Sequence, residues 1–196
     1  METKVRNIVV GSILGDGWLD AFESNTGTSR FRLKCNDKAL GYLKWVKGKL
    51  ESLDPCELKT IAKYNQHYFY TKARKDIGDF RRIFYPNGGI KRVPDNISEL
   101  LVKPISLAIW YQDDGNLDNR SKYHHNAMLA TYCFPYDDCI KLKETLRQNF
   151  NIEVSVCKCR MRGKMYYRLY VLSRSMNLFI ETIRPYVHKD FAYKIA

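Results

Sequence analysis

No apolar run in this chain approaches the roughly 18 residues that a membrane-spanning helix needs. The opening METKVRNIVV meets charged residues before any long apolar stretch, so it does not read as a secretory leader. We therefore expect a soluble intracellular protein, with cytoplasm and organelle left open. Acidic residues are scarce. The 196 residues hold 21 Asp+Glu against 33 Lys+Arg, a formal net charge of +12, and the pI is about 9.4. Such an excess points to a polyanionic partner, held by direct attraction and counterion release. An anionic membrane would satisfy the charge alone, but nothing else in the sequence supports one. Wide cysteine pairs of the zinc-binding kind are also missing. Cys157 and Cys159 are separated by one residue and would face the same side of a strand. A zinc site there would need a second pair. With Cys35, Cys56, Cys133 and Cys139 they read as reduced thiols. There is no low-complexity tract and no block of like charge.

What the chain does have is a second copy of itself. Ile8–Gly17 (IVVGSILGDG) and Ser106–Gly115 (SLAIWYQDDG) are both apolar runs ending in Asp-Gly, 98 positions apart. Phe80 and Phe179, Pro86 and Pro185, and more loosely Lys91 and Lys194 follow at similar offsets. Each opening run precedes a polar loop and short strand-like stretches rich in aromatic residues, such as Tyr68–Tyr70 and Tyr166–Tyr170. Leu40, Leu43, Val46, Leu50 and Leu53 fit a helical stripe, and Ile140, Leu142, Leu146 and Phe150 fit one less cleanly. The order within each half reads helix, two strands, helix, two strands, helix. We expect halves at 1–98 and 99–196, joined through the Pro- and Gly-containing segment 86–103 and packed closely about a pseudo-twofold axis.

Read as helices, the two runs have a specific chemistry. Pro104 suits a first helical position. Gly17 and Gly115 are expected as left-handed C-terminal caps. Asp16 and Asp114 then fall in the last turn, where the helix end is already partly negative. A divalent cation reverses that penalty, because carboxylates and free carbonyls make an oxygen site for a hard metal. Gly11 and Gly15 lie on one face and would let the second helix approach, bringing the two aspartates together. Asp113 is expected to offer only its backbone carbonyl, since its side chain is turned by about 100° from that of Asp114 in a helix. Gly15, in the equivalent place, has only a carbonyl to offer.

These motifs resemble the LAGLIDADG homing endonucleases. The second run is similar to the branch ending in Asp-Asp-Gly, in which a Lys-x-x-Pro-Asp/Asn segment and a late Tyr-Lys recur; here these are Lys91–Asn96 (KRVPDN) and Tyr193-Lys194. Gly15 departs from the small residue, often Ala, found in many members. The resemblance implies an α+β fold of two αββαββα halves with saddle-shaped antiparallel sheets. It implies a monomer that hydrolyses one phosphodiester on each DNA strand across the minor groove, leaving 3′ overhangs. It implies Mg²⁺, with Mn²⁺ able to substitute, and places Lys91 and Lys194 beside the scissile phosphates. An RNA maturase acting on intron RNA is the alternative within the same family.

The strands offer candidates for recognition. Arg30, Arg32 and Lys34 alternate with apolar residues, as do Lys158, Arg160 and Arg162, while Lys72 and Arg74 make a further pair. Such rows can enter the major groove, where Arg reads guanine bidentately. The competing reading is the solvent face of a half-buried strand. Asn65, Gln66, His67, His124 and His125 are further candidate base readers.

Overall fold

A computed structural model describes residues 1–22, 26–121 and 124–196, without the side chains of 119–121 and 124–125. The first half runs α1 (Thr3–Leu14), β1 (Trp18–Leu19), β2 (Phe31–Asn36), α2 (Leu40–Lys49), β3 (Lys59–Ile61), β4 (Gln66–Tyr70) and α3 (Lys75–Phe84). A one-turn helix, α4 (Ile97–Leu100), interrupts the connection. The second half repeats the order: α5 (Pro104–Asp114), β5 (Gly115–Ser121), β6 (His124–Ala130), α6 (Tyr136–Phe150), β7 (Val154–Met161), β8 (Lys164–Val171) and α7 (Met176–Ile183). Each half builds a four-stranded antiparallel sheet of the same topology, β1-β2-β4-β3 and β5-β6-β8-β7. The expected αββαββα repeat is therefore present. Among the described residues, no helix is long and apolar enough to cross a membrane.

One apolar core spans both halves. Helices α1 and α5 lie at its centre and are buried on every side over most of their length: Val9, Val10, Ile13, Leu14, Leu107, Ile109, Trp110 and Tyr111 are fully buried, together with the polar Ser12, Ser106 and Gln112. The close approach expected at Gly11 and Gly15 is real. A Cβ on Gly11 would lie 2.3 Å from the Ser106 carbonyl oxygen, and one on Gly15 would lie 2.5 Å from the Asp113 Cβ. Any side chain there would force the helices apart.

The caps differ from expectation. Gly115 is extended (φ −85°, ψ 154°) and β5 starts at that residue; Gly17 is likewise not among the positive-φ glycines. Space, and not a left-handed turn, is what these positions require. A Cβ on Gly17 would meet the Ser12 carbonyl oxygen at 2.5 Å, and one on Gly115 would meet the Tyr111 ring at 2.1 Å. After α5 the chain folds straight into β5, whereas after α1 it turns at Gly15–Asp16 before β1 starts at Trp18, so Asp114 closes its helix as expected but Asp16 lies just beyond its own. The left-handed cap occurs instead after α6, at Asn151 (φ 56°).

Candidate functional site

Helices α1 and α5 end at the same place, so Asp16 and Asp114 are delivered together. Two cavities open beside them, each of about 490 Å³. One is lined by Asp16, Asp113, Lys34 and Lys194. The other is lined by Gly15, Asp16, Asp114, Lys91 and Cys133.

Each cavity holds one lysine at a helix C-terminus. Lys91 Nζ donates to the carbonyls of Gly15 (2.9 Å) and Gly17 (3.0 Å), and Lys194 Nζ donates to that of Gln112 (2.6 Å). An ammonium at that end complements the helix dipole by about 0.3–1 kcal/mol, and more when partly buried. The two lysines are brought there differently. Segment 92–93, next to Lys91, is tied to the buried Asp138 carboxylate, which accepts from Arg92 Nε (2.7 Å) and from the Val93 N–H (2.9 Å). Lys194 lies on the C-terminal segment, which docks on α5: the Tyr111 hydroxyl donates to the Lys194 carbonyl (2.8 Å), and the His188 N–H donates to Gln112 Oε1 (2.6 Å).

The carboxyls are crowded. Burial, reinforced by the charge of Asp16, pushes the Asp114 carboxyl up to about 7, against the pull of Lys91 and Lys194. Burial also raises the Asp16 carboxyl, although its edge is exposed to the cavities. Desolvation depresses both lysines, opposed by the neighbouring aspartates. The Asp113 carboxyl is raised well above its ordinary value, by burial first and then by Asp16. Its side chain is indeed turned away from that of Asp114, but not into solvent. It crosses the interface, where Oδ2 accepts from the Asp16 N–H (3.3 Å) and Oδ1 from the Tyr42 hydroxyl (2.8 Å).

This donor set fits a hard divalent cation. It consists of oxygens, and its like charges repel until a cation is added. Among the described residues, no three His, Cys, Asp or Glu side chains are gathered at metal-ligand spacing. A metal here would take the carboxylates of Asp16 and Asp114 and complete its shell with backbone carbonyls such as those of Gly15 and Asp113, water and substrate. The thiol pair Cys157 and Cys159 is not part of any such group, and all six cysteines are free.

The outward face of the first sheet leads into this site. Phe31, Leu33 and Phe69 point into the core, so Arg32 and Lys34 point out, in register with Tyr70 and Tyr68. Lys59 stands across from Tyr68, and Trp18 from Arg32. The Arg30 and Arg32 guanidiniums each lie 5.6 Å from the centre of the Tyr70 ring. Arg32 also pairs with Asp20 (3.0 Å). A groove lined by Asp16, Trp18, Arg32, Lys34, Ile61 and Tyr68 joins this face to Asp16. Lys72 and Arg74 do not extend the row, because β4 ends at Tyr70. Lys72 pairs with Asp54 (3.4 Å), and Arg74 pairs with Asp76 (3.0 Å) opposite the buried Ser29.

The second sheet departs from the expected pattern. Val154 and Val156 pair with the core residues Val171 and Leu169, which fixes the inward face of β7. Alternation then gives Lys158 and Arg160 that same face, opposite Tyr167 and Met165, and the Tyr167 ring meets Tyr136 of α6. The two cations are exposed because the hairpin runs past the end of the core. Arg162 lies beyond the strand, in the turn, at φ 49°. The outward face carries Ser155, Cys157 and Cys159, paired with Tyr170, Arg168 and Tyr166. Arg168, Tyr68, Tyr70 and Trp18 were missed from the sequence, because facing follows from register with a neighbour that the sequence does not specify. Of the polar candidates, His67 is bound by Asp37 and Thr60, Gln66 lies in β4 opposite Asn36, and Asn65 forms a left-handed turn at φ 49°. The side chains of His124 and His125 lie outside the described residues.

Residues 6–179 match the LAGLIDADG DNA endonuclease family, and the chain belongs to that family. It is 26% identical over 210 residues to the cytochrome b mRNA maturase bI2 of Saccharomyces cerevisiae, covering 100% of this chain and 48% of that protein. It is 24% identical over 133 residues to the intron-encoded endonuclease ai4 of Dictyostelium discoideum, covering 68% of this chain and 69% of the relative. The chain thus spans about half the length of the yeast maturase. Among solved structures, the homing endonuclease I-WcaI bound to its DNA recognition sequence superposes with a TM-score of 0.79 at 20% identity, over 99% of this chain and 87% of that one. I-DmoI in complex with DNA and Mn superposes with a TM-score of 0.60 at 14% identity, over 92% and 96%. The fold is that of the homing endonucleases.

Proposed function

We propose that this chain is a site-specific double-strand DNA endonuclease that cuts one phosphodiester on each strand across the minor groove, leaving 3′ overhangs on an asymmetric site. The observation that carries this reading is the paired helix end, with one aspartate and one lysine contributed to each side. The relatives' names support it. Asp16 and Asp114 hold the divalent cation, Mg²⁺ with Mn²⁺ as a substitute, together with the carbonyls of Gly15 and Asp113. A cation held there would lower the pKa of bound water and stabilise charge on the phosphate oxygens. Lys91 and Lys194 place positive charge beside each scissile phosphate and hold the helix ends in position. Arg30, Arg32 and Lys34 track the duplex on the first sheet, with Arg168 and the β7–β8 hairpin on the second. Lys72, Arg74, Lys158, Arg160 and Arg162 are left to phosphate contact at the rims. One chain carries both motifs, so the active unit is a monomer in two halves, 1–98 and 99–196, working inside the cell, where thiols stay reduced.

The test is incubation with a randomised duplex library in Mg²⁺ or EDTA, followed by sequencing of cut ends. Metal-dependent cuts at one site with 3′ overhangs are expected. Absence of cutting across the library would overturn the reading. The maturase relative supports a second reading, binding of a structured intron RNA. Tight, specific retention of such an RNA by a chain that cuts no DNA would favour it.

A further inference from the structure

Positions 15 and 113 are equivalent in the repeat, yet they carry different residues, and they face each other. The Asp113 side chain fills the space that Gly15 leaves: a Cβ on Gly15 would stand 2.5 Å from Asp113 Cβ and 2.7 Å from its Oδ2. From there the carboxylate reaches two elements of the opposite half. It accepts the Asp16 N–H at the end of α1 (3.3 Å) and the Tyr42 hydroxyl on α2 (2.8 Å). Tyr42 is itself held, with its N–H on Asp190 Oδ2 (2.8 Å) and its ring edge-on to Phe191, 5.0 Å between centroids. The clamp thus runs from the C-terminal segment through α2 and α5 to Asp16. Among the described residues Asp114 has no counterpart of it, because the place equivalent to Asp113 is a glycine.

We propose that Asp113 is a positioning residue for Asp16 alone, so that the two strand cuts depend on different supports. This rests on the nuclease reading for its kinetic arm only. An off-target displacement of about 1 Å in a reacting group can cost on the order of 10²-fold in rate. Asp113→Ala should therefore slow one strand by about 10- to 100-fold. The affected strand should be the one most impaired by Asp16→Asn, the other should stay within about twofold, and nicked duplex should accumulate. Asp113→Asn still offers an oxygen to the Asp16 N–H and an N–H to the Tyr42 hydroxyl oxygen, so it should recover most of the loss. A residue needed for its negative charge on a metal would not be rescued in this way. Tyr42→Phe should slow the same strand to a smaller extent, and it provides a reading if Asp113→Ala folds poorly.

Strand-resolved single-turnover cleavage measures these rates on end-labelled duplex. Hydrogen exchange at the Asp16 amide measures the clamp with no DNA present. Faster exchange in Asp113→Ala, with restoration in Asp113→Asn, supports the proposal even if the unchanged chain cuts nothing, an outcome that would sink only the nuclease reading. Equal slowing of both strands, or unchanged Asp16 exchange in Asp113→Ala, overturns it.

Discussion

The two sheets share strand order and inward pattern but present different chemistry outward. On the central strand of the first, Tyr68 and Tyr70 stand in register with Lys34 and Arg32 of the neighbouring strand. On the central strand of the second, Arg168 and Tyr170 stand in register with Ala130 and Met128. The cation moves from one strand to its neighbour, and β7 adds thiols in place of lysine. Buried positions are held in common because both halves must close on one core, whereas outward positions answer to whatever lies against each sheet. A duplex read by two such faces would differ between its halves, as an asymmetric site requires. The ends of α1 and α5 show the same contrast on a smaller scale, with Asp113 set against Gly15.

The largest expected effect tests what the halves share. If Asp16 and Asp114 hold the metal as proposed, Asp16→Asn and Asp114→Asn should each abolish double-strand cleavage while leaving DNA binding nearly intact, because the proposed role needs the carboxylate charge and the duplex contact does not. Either variant cutting both strands at the parent rate would show that its carboxylate is no ligand. Next come Lys91→Met and Lys194→Met. Each removes the cation proposed to lie beside one scissile phosphate, and losses of about 10²–10³ in rate are expected, with site preference unchanged. Because the lysines are tethered by different segments, Asp138→Asn should slow cleavage through Lys91 alone. Measuring strand-specific rates for all three variants checks this.

Much of this molecule was legible in its sequence, for identifiable reasons. Repetition of an apolar run ending in Asp-Gly marked both central helices, and glycine spacing anticipated their close contact at Gly11 and Gly15. What stayed hidden depended on register. Lys158-Cys159-Arg160 looks like Arg32-Leu33-Lys34, with small apolar and cationic residues alternating, yet the inward face of β7 is set by Val154 and Val156, several residues earlier. Alternation gives two faces but does not say which is buried once a strand outruns the core. The Asp113–Tyr42 link was hidden for a similar reason, since it joins residues 71 positions apart in separate halves.

The sheets provide a smaller and sharper test. Arg32→Ala should cost about 1–3 kcal/mol in binding if it reads a base, and relax preference at one base pair. Lys34→Ala, if it meets phosphate, should weaken all sequences alike and reduce the salt slope by about 1. Arg168→Ala should resemble one of these, while Lys158→Ala and Arg160→Ala, at the rim, should weaken all sequences alike and by less than Lys34→Ala does. Titrations on the cognate duplex and single-base variants, across a salt series, compare them directly. A loss at Lys158 or Arg160 as large as that at Arg32 would show that the hairpin twists its inward face onto the duplex beyond the core.

The smallest effect separates Asp16 from Asp114 without DNA. With metal chelated, the folded state holds the Asp114 proton up to about pH 7, whereas an unfolded chain releases it near 4. Between those values the folded state binds more protons than the unfolded one, so stability falls as pH rises through the window. Above it the buried charge is a standing penalty. Asp114→Asn keeps the shape and removes that charge, so in EDTA at pH 8 it should raise Tm, by roughly 2–4 °C for each kcal/mol relieved. Near pH 4 the two proteins should melt together. Asp16, whose edge is more open to solvent, should gain less from the same substitution. Adding Mg²⁺ should reverse the order at pH 8, because the cation stabilises only the chain that retains both carboxylates. Calorimetric melts of the three proteins at both pH values, with and without metal, decide it. A Tm for Asp114→Asn at or below that of the parent in EDTA at pH 8 would mean that Lys91 and Lys194 already neutralise the carboxylate, and that the helix ends do not need a cation to be stable.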